Sequence, residues 1–161
     1  MRIVRRETLV SLPSAVALWT MALSIMALLV AAGMPVRAAD PTPIGTWYTA
    51  DKDSQIKITN CGGALCGALA WLKEPNDPAT GRPKLDKNNA DPSKQGRPLI
   101  GVQIVLGMKP SGPNQWSGQV YNASDGKIYT GSFTLTGANT AELKGCVLSV
   151  LCKSQTWTRA N

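Results

Sequence analysis

Several residue clusters in this chain have the types and spacing that chemistry uses. Ser54-Gln55-Ile56-Lys57 sets a serine three positions before a lysine, the spacing at which a helical lysine activates a serine nucleophile. Asp86, Asn88, Asn89 and Asp91 crowd oxygen donors into one short stretch, as a calcium loop does. Asp51 with Asp53, or Glu74 with Asp77, offers paired carboxylates for acid/base cleavage of a glycoside. Cys61, Cys66, Cys146 and Cys152 could close disulfides or hold zinc. Histidine is absent, which removes Ser-His pairs, Cys-His pairs and His-ligated zinc in one step.

The surrounding pattern weakens each of these. Ser54 and Lys57 lie in an alternating, strand-like segment, where third neighbours point to opposite sides. The Asp/Asn stretch lacks EF-hand spacing and a downstream bidentate Glu, and Asx side chains commonly build loops by bonding nearby amides. Both carboxylate pairs sit near turns with lysine beside them and read as solvated charge. The expectation is no catalytic residue, no metal, no cofactor and no enzyme activity.

The first forty residues bear on the cysteines. Arg2, Arg5 and Arg6 precede an uncharged stretch from Thr8 to Val36, and Val36-Arg37-Ala38 offers small residues for cleavage. This is the layout of a secretory signal peptide over residues 1–38; an uncleaved membrane anchor is the rival. The expected location is the periplasm or the outside, with no membrane span after processing. An even cysteine count behind such a leader implies disulfides. Three pairings can be drawn; the local ones, Cys61–Cys66 and Cys146–Cys152, are favoured over the distant pairings and over a four-thiolate zinc site, whose usual spacing is tighter. The formal charge of +7 includes a leader of +3 (Arg2, Arg5, Arg6 and Arg37 against Glu7), leaving +4 spread along the rest. With no basic helix and no basic-aromatic interleave, a nucleic-acid partner is not expected.

Residues 39–161 read as one all-β domain. Strands are expected at Gly45–Ala50, Gln55–Thr59, Leu65–Leu72, Pro98–Gly107, Gln115–Asn122, Lys127–Leu135, Thr140–Cys146 and Lys153–Arg159, most joined by tight turns. Lys109–Asn114 is expected as a turn. Lys73–Arg97, rich in proline and without period, reads as a long ordered loop. Val147–Leu151 is a candidate for one short helical turn. Eight short antiparallel strands argue for an up-and-down barrel in which first and last strands meet. Trp47 and Arg159 would then stack, cation over ring, as structural residues.

The chain resembles the bacterial domain-of-unknown-function family 2147, a set of exported lipocalin-like proteins. The resemblance runs from Ile44 to Arg159. It rests on Gly45-Thr46-Trp47, Cys61-Gly62-Gly63-Ala64-Leu65-Cys66-Gly67, Trp71-Leu72, Asp86 with Asn89-Ala90-Asp91-Pro92, Gly96-Arg97-Pro98-Leu99-Ile100-Gly101, Trp116 to Tyr121, Asp125-Gly126-Lys127, and Ser154-Gln155-Thr156-Trp157-Thr158-Arg159. It implies a periplasmic lipocalin-like barrel with no established activity. Ala90 stands where the family often has Pro, a departure that bears on the loop's rigidity.

The functional expectation is an exported binding protein holding a small apolar or amphipathic ligand in a barrel cup. Trp71, Arg97, Trp116, Tyr121 and Tyr129 are the candidate ligand-binding residues, with the Lys73–Arg97 loop as a lid. Arg97 has a second role open to it, pinning that loop through Asp86 or Asp91. The alternative, from another class, is an envelope interaction protein with a filled barrel that binds another protein through its loops.

Overall fold

The computed structural model describes residues 41–148 and 150–160; the expected signal peptide falls outside them. Eight strands run in sequence order: β1 (Gly45–Tyr48), β2 (Ser54–Cys61), β3 (Ala64–Leu72), β4 (Gln103–Gly112), β5 (Gln115–Asn122), β6 (Lys127–Leu135), β7 (Thr140–Val147) and β8 (Leu151–Arg159). Each pairs antiparallel with the next, and β8 returns to β1, closing the barrel. Closure leaves no open sheet edge.

Alternation makes these strands. Ile56 and Ile58 of β2 are buried while Lys57 and Thr59 are exposed. Phe133 and Leu135 of β6, and Ala141 and Leu143 of β7, turn inward in the same way. The inward set meets at one end of the barrel. Phe133 stands edge-on to Trp47 (5.7 Å between centroids) and to Trp157 (6.0 Å), and tilted to Trp116 (6.4 Å). These rings plug the floor.

Arg159 seals that floor from below. Its guanidinium carbon lies 4.3 Å from the Trp47 ring centre. Its nitrogens donate to the carbonyls of Thr42 (2.5 Å), Ile44 (3.0 Å) and Ala138 (3.2 Å). The Trp47 indole N–H donates to Pro43 O at 2.9 Å. Position 45 must be glycine here: its φ is +137°, and a Cβ would stand 2.6 Å from Arg159 Nη1.

Both local disulfides form. Cys61–Cys66 crosslinks the β2–β3 hairpin at the floor end, and Cys146–Cys152 joins directly facing positions of β7 and β8 at the mouth.

The structure corrects four expectations. First, β4 runs over Gln103–Gly112 rather than Pro98–Gly107. Pro98–Val102 stays in the loop, tied to β3 by Leu69 N–H to Val102 O (2.9 Å) and Gly101 N–H to Leu69 O (2.8 Å). Second, most of Lys109–Asn114 is strand; only Pro113 and Asn114 turn. Register shifts against both neighbours explain the misreading, because each bulge breaks the period of two. Val105 and Met108 are fully buried while Ile100 is exposed, which simple alternation cannot produce. Third, the short helical turn is a 3-10 turn at Pro92–Lys94, capped by Asp91. The described residues between Val147 and Leu151 instead make a hairpin turn, with Leu148 at φ +50°. Fourth, Trp71, a candidate ligand-binding residue, does not share the inward face of Leu65 and Leu69, because the β2–β3 pairing shifts register between Gln55 and Ile56. It packs outside, edge-on to Tyr48 at 6.2 Å.

Candidate functional site

Above the aromatic floor the barrel is hollow. A cavity of about 1060 Å³ opens at the end carrying the β1–β2, β3–β4, β5–β6 and β7–β8 connections. Its lower wall is apolar: Ile56, Leu69, Ile104, Val120, Leu143 and Trp157. They come one each from β2, β3, β4, β5, β7 and β8, at inward positions of those strands. Gly145, inward between Leu143 and Val147 on β7, keeps that side open. The upper wall is polar, with Ser54, Tyr129, Lys153 and Gln155. Lys153, Gln155 and Trp157 share one face of β8, so this strand grades from cation to apolar floor. Gln155 accepts the Trp157 indole N–H at 3.4 Å.

The rim carries Asp53, Asp77, Asp125, Lys84 and Lys87. All three carboxylates are already engaged. Asp53 accepts from the hydroxyls of Thr49 and Ser54, both at 2.9 Å. Asp77 accepts the amides of Ala79 (2.9 Å) and Thr80 (3.3 Å). Asp125 accepts the Lys127 amide (3.0 Å) and the Tyr129 hydroxyl. Burial pushes the Asp125 pKa up, but these hydrogen bonds and one from Asn122 outweigh it and hold it below the usual value; the bond to Asp125 raises that of Tyr129. Lys84 approaches Glu74 at 3.6 Å. Lys87 and Lys153 make no ion pair with a described residue. The mouth therefore sets two unpaired lysines, Lys87 and Lys153, beside three carboxylates that stay charged while hydrogen-bonded.

The β3–β4 loop reaches over one side of the mouth, with Asp77, Pro78, Lys84, Leu85, Lys87, Asn88 and Leu99 on the cavity. A buried polar cluster bolts it to the barrel. Asp86, fully buried, accepts Arg97 Nε (3.0 Å) and Nη2 (2.8 Å) on one oxygen and the Tyr121 hydroxyl (2.5 Å) on the other. Asn89 donates to Asp86 (2.8 Å) and to Tyr121 Oη (3.0 Å). Burial pushes the Asp86 carboxyl up, but the hydrogen bonds from Tyr121, Asn89 and Arg97, with the Arg97 charge, prevail and hold it below 3.8. Burial and the Asp86 charge push Tyr121 up to about 12. Asn88 adds bonds to the carbonyls of Ala123 (3.4 Å) and Ser124 (2.9 Å) in the β5–β6 turn. There Gly126 has φ +72°, and any Cβ would run into the Asn88 carbonyl. Glycine lets the loop lie flat on the turn.

Of the five candidate ligand residues, Tyr129 and Tyr121 border the cup. Trp116 is packed into the floor cluster, Trp71 is outside the barrel, and Arg97 is spent on Asp86. Lys153 and Gln155 went unsingled in the sequence. Their signal was the period of two that links them to Trp157. Among the described residues no group of three or more Cys, Asp or Glu stands together as metal ligands, and no helix is long and apolar enough to cross a membrane.

Comparisons agree with this architecture. No curated protein matches the sequence. A solved structure, protein HP1028 from the human pathogen Helicobacter pylori, described as belonging to the lipocalin family, superposes with a TM-score of 0.63 at 20% identity. The match covers 75% of this chain and 84% of that one. The family model for an uncharacterized protein conserved in bacteria, DUF2147, matches residues 45–159. The chain belongs to the DUF2147 family, and its fold is a lipocalin-like barrel.

Proposed function

We propose that this is an exported binding protein, without catalysis, whose cup takes an amphipathic molecule with an apolar body and an anionic head. The observation that carries it is the open cavity of about 1060 Å³, apolar at the floor, with Lys87 and Lys153 unpaired at a lip whose carboxylates are held by hydrogen bonds. Such a volume suits a drug-sized or lipid-sized ligand, and burial of its apolar surface would supply most of the affinity. Lys153 and Lys87 are the head-group anchors: both face the cavity and neither is committed to a carboxylate. Trp157, Leu143 and Ile104 receive the apolar end. Two disulfides fit an oxidising location, outside the cell or in the periplasm.

Fluorescence titration with a long-chain fatty acid probe and its uncharged alcohol analogue tests this reading. The acid should bind more tightly, and Lys153→Glu should weaken the acid roughly tenfold while leaving the alcohol nearly unchanged. Equal binding of both probes would remove the anionic head from the account; binding of neither would remove the cup.

A further inference from the structure

The tip of the β7–β8 hairpin has a composition that folding does not explain. Leu148 is 85% exposed, Val150 76% and Leu151 71%, with Val147 and nearby Ile128 about half exposed. Leu148 also holds φ +50°, a left-handed conformation that favours Gly, Asn or Asp over a branched apolar residue. An exposed turn position therefore carries a residue costly to both backbone and solvation. The Cys146–Cys152 bridge crosslinks the hairpin just behind the tip. Lys153 follows Leu151 by two positions, and Lys127 borders the same surface recess as Leu148. Neither lysine pairs with a described carboxylate.

We propose that this hairpin tip docks on an anionic lipid surface, with Leu148 and Val150 entering the acyl boundary and Lys127 and Lys153 meeting head groups. Several observations favour a bilayer over a protein partner. The patch is a turn tip and not a groove. The described tip residues, Val147, Leu148, Val150 and Leu151, are all aliphatic, and the Tyr129 and Arg97 that border the recess behind them are bonded to Asp125 and Asp86. Apolar insertion backed by lysine is the pairing that interfacial binding uses. The tip also stands on the cup's lip, since Val147 and Leu151 line the cavity. Docking would bring the mouth to the membrane, where an amphipathic ligand resides. That loading role rests on the ligand reading above; the docking itself does not.

Flotation of the domain Asp40–Asn161 with vesicles tests it. That segment is a compact unit containing the closed barrel, its core and both disulfides, so it is suited to isolation away from the apolar leader. The wild type should float with phosphatidylglycerol/phosphatidylethanolamine vesicles and far less with pure phosphatidylcholine. Leu148→Asp with Val150→Asp should reduce binding about tenfold or more. Aspartate tolerates positive φ, so an unchanged melting temperature and unchanged fatty acid titration without vesicles should accompany the loss. A wild type that stays unbound, or floats equally with the double variant, overturns the proposal. So does self-association that the double variant abolishes, or a protein partner that needs the tip while vesicles do not bind. The vesicle-free titration reads the cup separately, so failure of docking and failure of ligand binding are told apart.

Discussion

The guanidinium of Arg159 lies over the ring of Trp47, 4.3 Å from its centre, across the seam where the last strand meets the first. The seam is short: among the described residues Trp47 pairs with Arg159 and Tyr48 with Thr158, and the Ala160 amide donates to Thr46 O at 2.8 Å. Side-chain bonds from Arg159 to three backbone carbonyls reinforce it. Arg159→Ala should therefore cost about 2 kcal/mol or more, from lost charge-assisted hydrogen bonds and the cation–π contact. Thermal melts should show it. Arg159→Lys should recover only part, because an ammonium cannot span three carbonyls in a planar fork.

The loop clamp predicts stability limits at both ends of the pH scale. Asp86 has a folded pKa below its ordinary 3.8. Its contribution is complete above that value and is lost as pH falls through the lower folded pKa. Tyr121 is raised from 10.0 to about 12, so its contribution is complete below pH 10 and lost as pH climbs toward 12. Chemical denaturation across pH should show wild-type stability dropping on the acid side below about pH 4. Asp86→Asn should lower neutral-pH stability by about 2 kcal/mol and make that acid limb shallower, the remainder coming from the hydrogen-bonded Asp125 and Asp91. Tyr121→Phe should weaken the alkaline limb, leaving the part that Tyr129 supplies through its bond to Asp125. An unchanged acid limb in Asp86→Asn would place the acid sensitivity elsewhere.

Opening the Cys146–Cys152 bridge with a Cys146→Ser, Cys152→Ser pair should cost about 2 kcal/mol by loop entropy. The barrel should survive, since β7 and β8 remain paired along eight positions. Amide hydrogen exchange should rise at the hairpin end and not at the floor.

Straight alternation made some elements readable from sequence and others not. β5 and β6 begin and end at the expected residues because neither is bulged against the other. β4 resisted reading because its bulges bring Val105 and Met108 inward out of phase. The pairing of Trp47 with Arg159 was legible from closure alone. The clamp was half legible: Arg97 and Asp86 stood out as opposite charges in one loop, but Tyr121 joins them from a strand distant in sequence. The cup was less legible. Lys153 and Gln155 look like surface residues locally, and only the hollow above the aromatic floor makes their inward face matter.

Gly145 offers a way to obstruct the cup without unfolding the barrel. A Cβ there would meet only the Tyr129 Cβ at 3.7 Å, an ordinary contact. Gly145→Phe should narrow the cavity, shift the melting temperature by no more than a few degrees, and weaken fatty acid probe binding about tenfold.

Native mass spectrometry of the protein, purified without denaturant from the cells that make it, addresses the ligand itself. The wild type should carry an adduct that fragments to an anionic amphiphile, and Gly145→Phe prepared alongside should carry markedly less. An adduct-free wild type that also fails to take up added fatty acid, or equal adducts on both proteins, would contradict a ligand-holding cup.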